Sequence, residues 1–215
     1  MKEDSVLLVD KPAGITSFGV VARVRRRLSE QLGRKAKVGH TGTLDPFATG
    51  LMIIVTGKEC RNAMNYSKLD KEYEATIRLG ANSSTGDPEG DLTEVSSLQP
   101  DEAAIKEALR GFTGEITQTP PAFSAIKVNG RRAYDLAREG KAVEIPARQV
   151  TIYSLELISY HYPDIRIRVH VSSGTYIRSL AEDIGATLKT GAYCTELRRT
   201  KVGKWSVEDA MPIEV

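Results

Sequence analysis

Histidine, cysteine and long apolar runs are scarce in this chain. It has three histidines and two cysteines among 215 residues, and Cys60 and Cys194 lie far apart without a CxxC pattern. The sequence therefore indicates neither a disulfide framework nor a zinc site. No apolar stretch approaches the ~20 residues that span a bilayer, and the acidic pair at Glu3 and Asp4 is unlike a signal peptide. We expect a cytoplasmic protein without membrane association.

The net charge is also small, at +2, so the total gives no indication of a nucleic acid partner. The distribution of charge is more informative. Residues 23–37 contain seven Lys and Arg side chains against Glu30 alone, and four more basic residues lie within 198–204. Clustered basic side chains suit phosphate contacts, because binding then releases counterions. A solvated helix face is the other interpretation of such a cluster.

A length of 215 residues allows one large domain or two small ones. Apolar periodicity and turn residues predict the elements of the chain. Strands are expected at 5–9, 51–56, 73–79, 164–172 and 193–204, helices at 17–32, 100–111 and 175–188, and a hairpin turn at Asn129-Gly130. Ser17 is the expected N-cap of the first helix and Gly33 its end. These elements predict an α+β fold with a mixed, mostly antiparallel sheet flanked by helices and loops.

The segment 39–50 is the best candidate for a functional loop. Its three glycines and Pro46 argue against a regular element, and such a loop can hold one carboxylate close to a ligand. His40 and Asp45 are its titratable side chains. No second cluster of metal ligands is present, and no Gly-Lys-Ser/Thr follows the glycines, so neither a metal site nor a P-loop is indicated. From spacing alone, Asp45 is equally well an Asx-turn or N-cap residue before Pro46.

Two other positions and one acidic segment have structural interpretations from the residues alone. Tyr73 lies on an alternating strand and can be an inward core aromatic. Arg178 can form an exposed pair with Glu182 one helical turn later, which would contribute little. The acids at Asp87, Glu89 and Asp91 alternate, but the rest of a calcium loop is missing, so we expect a turn there.

The sequence of residues 39–51, GHTGTLDPFATGL, resembles the catalytic motif of the bacterial tRNA pseudouridine-55 synthases, the TruB family. Five further segments agree with that family in order and approximate spacing: Leu8-Val9-Asp10-Lys11-Pro12 with Gly14, Lys71-Glu72-Tyr73, Ser124-Ala125-Ile126-Lys127 with Gly130, Gly174-Thr175-Tyr176-Ile177-Arg178, and Leu197-Arg198-Arg199. The match extends over about residues 6–211. Six ordered motifs are far more specific than one GxLD would be, and they imply the pseudouridine synthase catalytic fold over residues 1–215.

The resemblance also implies roles for single residues. Asp45 corresponds to the catalytic nucleophile, and Arg178 corresponds to the arginine that pairs with it. Tyr73 corresponds to the tyrosine that stacks on the target uracil and is placed to take its C5 proton. The other matched positions, which line the uridine pocket or lie near it, are His40, Tyr176, Leu197 and Lys11.

The implied reaction isomerises uridine 55 in the T-loop of tRNA to pseudouridine, after the uridine has flipped out of the RNA arm. An isomerisation needs no cofactor, metal or cosubstrate. Residues 119–146 correspond to an insertion that grips the T-arm, with basic residues at Lys127, Arg131, Arg132, Arg138 and Lys141. We expect a monomer that requires no protein partner. Family members usually continue into an RNA-binding PUA domain, and we expect none in residues 1–215.

Overall fold

The computed structural model of the chain describes residues 2–124, 126–128, 130–139 and 145–213. Its strands are β1 Val6–Lys11, β2 Val38–His40, β3 Thr49–Thr56, β4 Lys71–Leu79, β5 Ala81–Ser83, β6 Leu92–Glu94, β7 Gly114–Gln118, β8 Lys127–Val128, β9 Arg131–Arg132, β10 Arg148–His161, β11 Asp164–Val171, β12 Ala192–Val202, β13 Trp205–Ser206 and β14 Met211–Pro212. Its α-helices are α1 Ser17–Leu32, α2 Ala63–Ser67, α3 Glu102–Arg110, α4 Ala133–Arg138 and α5 Ile177–Thr187. Within these ranges, no helix is both long and apolar enough to cross a bilayer.

The chain forms two compact units. Unit one consists of Met1–Glu74 and Leu197–Val215, and unit two consists of Ala75–Glu196. The chain passes from unit one into unit two within β4 and returns within β12. Unit two is therefore one continuous stretch, whereas unit one is assembled from two separate stretches.

Unit one is organised around β3, an almost wholly apolar strand that is buried along most of its length. It pairs antiparallel with β1 and β2 and parallel with β12. Leu51, Ile53 and Val55 project into one buried cluster with Val202 of β12. A strand that is covered on both faces reads as a continuous apolar run, which is why 51–56 was predictable as a strand.

Helix α1 has the predicted bounds, but the prediction of its N-cap was wrong. Thr16 is the N-cap, and its side chain accepts a hydrogen bond from the Gly19 amide at 3.0 Å. Ser17 lies inside the helix because its hydroxyl is bonded to Leu44 instead. Gly33 ends the helix in the left-handed conformation, as predicted.

In unit two the strands are adjacent in the order β12, β4, β11, β10 and β7. Strand β11 alternates as predicted, with Ile165, Ile167 and Val169 fully buried. The neighbouring 14-residue strand β10 was not predicted. Its pairing with β11 shifts register between 152 and 154 and again between 157 and 159. Such bulges interrupt the two-residue alternation on which a sequence-based strand prediction depends.

The α+β fold class is confirmed, with parallel pairs only at β1–β14 and β3–β12 among the strand pairs given a register in the described residues. The bounds of every predicted strand and helix except α1 differ from the observed ones by one or two residues at one end or both. Strand β1 continues to Lys11, beyond its predicted end at residue 9. Residues 39–40 belong to β2 and residues 49–50 belong to β3, so both ends of the predicted loop 39–50 are strand. Strands β8 and β9 form the predicted hairpin, whose Gly130 has φ +82°. Asn129 lies outside the described residues.

Gly50 generates a prediction about the pairing of β3 with β12. Its φ is +105°, and a Cβ placed there would lie 2.3 Å from the carbonyl oxygen of Arg199 and 2.7 Å from its amide nitrogen. We predict that Gly50→Ala lowers the free energy of unfolding by roughly 3 kcal/mol or more, because a strained backbone and a clash with backbone atoms add together. Urea denaturation measures this loss.

Gly33→Ala is the matched control. Gly33 also has a left-handed φ, +66°, but nothing lies within 4 Å of its added Cβ. The control should therefore lose only about 1–2 kcal/mol, the cost of the left-handed conformation itself. Equal losses in the two variants would contradict the proposed clash.

Candidate active site

Asp45 lies in the segment 41–48, which joins β2 to β3 without regular structure. Asp45 is half-buried, and its carbonyl oxygen accepts a hydrogen bond from the Ala48 amide at 3.1 Å. This bond closes a turn that has Pro46 at its second position, where proline is favoured. This turn is closed by backbone atoms of Asp45, whereas the Asx-turn that the residues alone indicated would use its carboxylate.

Buried cationic side chains of unit one donate hydrogen bonds to the carbonyl groups of this loop. The Arg199 side chain is 2% exposed, and it donates to Gly42 at 3.1 Å and to Thr43 at 3.4 Å. Lys11 is fully buried and donates from Nζ to the Pro46 carbonyl at 3.2 Å. A charge buried this deeply requires such partners. The loop and the two cations therefore stabilise each other.

Ser17 fixes the backbone immediately before Asp45. Its buried hydroxyl accepts from the Leu44 amide at 2.8 Å and donates to the Leu44 carbonyl at 2.8 Å. The Gly14 amide adds a bond to the Pro46 carbonyl at 2.9 Å. In the sequence, Ser17 is a hydroxyl residue at the start of a helix, which indicates an N-cap. Nothing local in the sequence connects residue 17 to residue 44.

The other predicted site residues of unit one lie on strands. His40 ends β2, half-buried and opposite Ile54. Tyr73 on β4 and Leu197 on β12 are each 8% exposed. The burial of Tyr73 fits a core aromatic and a uracil contact equally well.

Lys71 is a buried cation on the same side of β4 as Tyr73, since they are two positions apart in the strand. Its Nζ donates to the carbonyl groups of Ser67 at 2.6 Å and Leu69 at 2.5 Å. The pKa of Lys71 is lowered to about 8, chiefly by burial and also by the nearby charge of Arg199, while Asp70 opposes the shift. Lys71 belongs to the Lys71-Glu72-Tyr73 motif, for which the resemblance implied no role at position 71.

Arg178 of unit two is buried near the start of α5, so its interpretation as an exposed partner of Glu182 was wrong. The side chain is 3% exposed, and Nη1 lies 2.9 Å from Oδ2 of Asp87. Nη1 also donates to the Thr85 carbonyl at 2.8 Å, and Nη2 donates to the Phe123 carbonyl at 2.7 Å. A guanidinium carries enough donors for all three acceptors. Arg178 therefore joins three segments of unit two.

Asp87 is the residue whose importance sequence analysis missed. The predicted turn is present, because Asp87 Oδ1 accepts from Thr85 Oγ1 at 2.6 Å and from the Glu89 amide at 3.0 Å. The second carboxylate oxygen pairs with Arg178. The sequence does place Arg178 beside the apolar positions of an amphipathic helix. A charge that is buried there requires a partner of opposite charge. The sequence does not show which acid that partner is.

Tyr176 directly precedes α5, and a buried glutamine holds its backbone. Gln118, 1% exposed, accepts from the Tyr176 amide at 2.7 Å and donates to its carbonyl at 3.0 Å. The guanidinium carbon of Arg148 lies 5.1 Å from the centre of the Tyr176 ring. Ser179 donates to the Thr119 carbonyl at 2.9 Å. The start of the predicted insertion is therefore attached to α5, and Gln118 was also missed from the sequence.

Only part of the predicted basic surface of the insertion falls within the described residues. Arg131 forms an ion pair with Glu139. Outside the described residues lie Lys141 and the side chains of Lys127, Arg132 and Arg138. Phosphate contacts by these five basic residues stay a prediction.

The buried pair between Arg178 and Asp87 generates a prediction about stability. We predict that Asp87→Ala lowers the free energy of unfolding by roughly 3 kcal/mol or more, because it removes a carboxylate from a buried guanidinium. Chemical denaturation measures the loss. Asp164→Ala is the matched control, since Asp164 pairs with Arg78 at 2.8 Å while both side chains are partly exposed, at 34% and 46%. The control should cost about 1 kcal/mol or less, and similar losses in both variants would refute the difference.

Comparisons with known proteins agree with the six sequence motifs. Residues 26–177 match the TruB family pseudouridylate synthase (N terminal domain), and residues 178–214 match the tRNA pseudouridylate synthase B C-terminal domain. The chain is 48% identical to tRNA pseudouridine synthase B of Phocaeicola vulgatus, over 99% of this chain and 92% of that protein. It is 46% identical to the protein of the same name from Burkholderia mallei, over 98% of this chain and 68% of that protein.

Solved structures of pseudouridine synthases share the fold. A chain in the crystal structure of a Cbf5-Nop10-Gar1 complex aligns with a TM-score of 0.74 and 31% identity, over 98% of this chain and 53% of that one. A crystal structure of a pseudouridylate synthase aligns with a TM-score of 0.50 and 14% identity, over 99% of this chain and 69% of that one, and supports the fold alone. Together with the family matches over most of its length, these similarities show that the chain belongs to the TruB family of pseudouridylate synthases.

Proposed function

We propose that this pseudouridine synthase converts uridine 55 in the T-loop of tRNA to pseudouridine, with Asp45 as its nucleophile. The observation that carries the proposal is the loop at 41–48, whose backbone is bonded to buried side chains around one half-buried carboxylate. Those side chains belong to Lys11, Ser17 and Arg199. The relatives at 46–48% identity are named tRNA pseudouridine synthase B, which supports tRNA as the substrate.

The proposed chemistry rearranges one nucleotide without adding or removing atoms overall. The N1–C1′ bond of the uridine breaks, the uracil turns, C5 bonds to C1′, the C5 proton leaves and N1 is protonated. A carboxylate can act as the nucleophile that divides this difficult step into easier ones. We propose Arg178 as the arginine that pairs with this carboxylate, since a guanidinium favours the ionised form.

The target uridine has to leave the stacked RNA arm before it reacts, at a cost of a few kcal/mol. We propose that stacking on Tyr73 offsets part of this cost and that Tyr73 takes the C5 proton. His40 is proposed to fill the space that the flipped base leaves. Lys11 is proposed as a positioning residue, which its bond to the Pro46 carbonyl supports. The remaining proposed pocket residues are Tyr176 and Leu197.

The proposal extends to partners. Residues 119–146 are proposed to grip the T-arm, and the enzyme is proposed to act as a cytoplasmic monomer without a protein partner. A second candidate function is guide-RNA-dependent modification of ribosomal RNA, which the TM-score of 0.74 to a chain of the Cbf5-Nop10-Gar1 complex favours. Identity of 31% to that chain, against 46–48% to the tRNA enzymes, gives preference to tRNA.

Tritium release from tRNA labelled at uracil C5 tests the proposal. We predict release by the wild-type chain from unmodified tRNA, no release when uridine 55 alone is replaced by cytidine, and a loss of at least about 10³-fold in Asp45→Asn. The loss follows because an amide cannot act as the charged nucleophile. Asp209→Asn changes an exposed aspartate of unit one and should keep the wild-type rate.

The outcomes separate the candidate functions. No release by wild type from tRNA, despite tight binding, would indicate a non-catalytic tRNA-binding or tRNA-folding protein. Release from a ribosomal RNA fragment with guide RNA, but not from tRNA, would favour the second candidate. Release at the wild-type rate by Asp45→Asn would exclude Asp45 as the nucleophile.

A further inference from the structure

One flank of α1 carries an exposed aromatic side chain among arginines. Positions 18, 22, 25 and 26 of a helix lie on neighbouring parts of its surface. Phe18, Ala22 and Arg26 are exposed, and Arg25 is half-exposed. Phe18 is 65% exposed, which leaves a large apolar ring in water with no gain from burial. These four residues are named here the α1 ridge.

The Phe18 ring is held in place by Arg25. The guanidinium carbon of Arg25 lies 5.7 Å from the centre of the ring, within the range of a cation–π contact. The same guanidinium donates to the Val38 carbonyl at 3.1 Å. Arg25 therefore connects the ring to β2, the strand that ends at His40. A ring fixed in this way loses little conformational freedom when a ligand stacks on it.

The surroundings of the α1 ridge are strongly basic. The exposed basic residues between the middle of α1 and the start of β2 are Arg26, Arg27, Arg34, Lys35 and Lys37. Arg34 pairs with Glu3, and Glu30 is the one acid of residues 17–37. This excess of positive charge is complementary to a phosphate backbone.

The α1 ridge begins beside the loop that carries Asp45. Ser17, the neighbour of Phe18, is bonded through its hydroxyl to both backbone groups of Leu44, and Leu44 precedes Asp45. All of these residues belong to unit one. Phe18 therefore directly follows, in α1, the residue that holds the backbone before Asp45.

We propose that the α1 ridge is an RNA-binding surface separate from the insertion at 119–146. Phe18 stacks on an unpaired base of the substrate RNA other than the target uridine, and Arg26 contacts a backbone phosphate. An exposed aromatic ring beside arginines is the usual platform for an unpaired base, and its stacking tolerates any base. This inference rests on the proposed function in so far as it takes RNA as the substrate.

Equilibrium binding of fluorescein-labelled unmodified tRNA tests the α1 ridge, measured in the Asp45→Asn chain over a series of salt concentrations. Phe18→Ala should raise the Kd roughly fivefold or more without changing its salt dependence, because a stacking contact is lost and no phosphate contact. Phe18→Tyr should keep the affinity. Arg26→Ala should raise the Kd and lower the slope of log Kd against log salt by about 0.7–0.9, the value for one phosphate contact.

Matched controls lie in unit two. Tyr153 is an exposed aromatic residue of β10, and Arg110 is an exposed arginine of α3. Tyr153→Ala and Arg110→Ala should bind tRNA like the parent chain. Circular dichroism and the Tm verify the fold of each variant, and Arg26→Ala tests the same surface if Phe18→Ala fails to fold.

Parental affinity in folded Phe18→Ala, or an unchanged salt slope in Arg26→Ala, would overturn the proposal. Phe18-dependent binding to anionic phospholipid vesicles, with tRNA affinity independent of Phe18, would overturn it in favour of a membrane contact. The proposed function is tested apart from this, by tritium release from tRNA with an intact α1 ridge and an intact Asp45. A chain that releases tritium but binds tRNA independently of Phe18 would refute the α1 ridge alone.

Discussion

The loop at 41–48 has to satisfy its backbone polar groups without a helix or a strand. An unpaired buried carbonyl or amide costs about 1–3 kcal/mol, so donors and acceptors have to come from elsewhere in unit one. They come from Lys11 on β1, Ser17 on α1 and Arg199 on β12, all of them buried. The position of Asp45 therefore depends on how these three elements pack around β3.

In unit two, buried side chains also satisfy the backbone polar groups of irregular segments. The buried guanidinium of Arg178 donates to two carbonyl groups and one carboxylate. The buried amide of Gln118 satisfies both backbone groups of Tyr176. In both units, a long polar side chain inside the core determines the path of an irregular segment. Replacement of such a residue thus removes a structural support as well as a charge or an amide.

Features that depend on a local sequence pattern could be predicted, whereas features that depend on contacts between distant residues could not. The bounds of α1 and the alternation of β11 followed from periodicity, which is a local property. The bulged strand β10 did not, because its register shifts break the period. Asp45 was indistinguishable from an Asx-turn residue by spacing alone, and the turn that is present is closed by its backbone atoms. Its assignment as nucleophile came from the six motifs and awaits the tritium assay.

The buried contacts that hold Leu44 and Arg178, which could not be predicted, join residues far apart in the chain. Ser17 bonds to Leu44, and Arg178 pairs with Asp87, 91 positions away. In each case the residue type was informative, since it required a partner in the core. The identity of that partner depends on the tertiary structure, which no local pattern contains.

The division of the chain into units also has a consequence for its synthesis. Unit two is continuous and can fold as soon as it has left the ribosome, because domains generally fold as units during translation. Unit one has to wait, since the part of β12 that carries Arg199 is made after unit two. The backbone around Asp45 therefore acquires its final hydrogen bonds late in translation. A nascent chain at earlier stages therefore holds the Asp45 loop without the hydrogen bonds that Arg199 donates to Gly42 and Thr43, and the rigidity of this loop depends on residues synthesised after unit two.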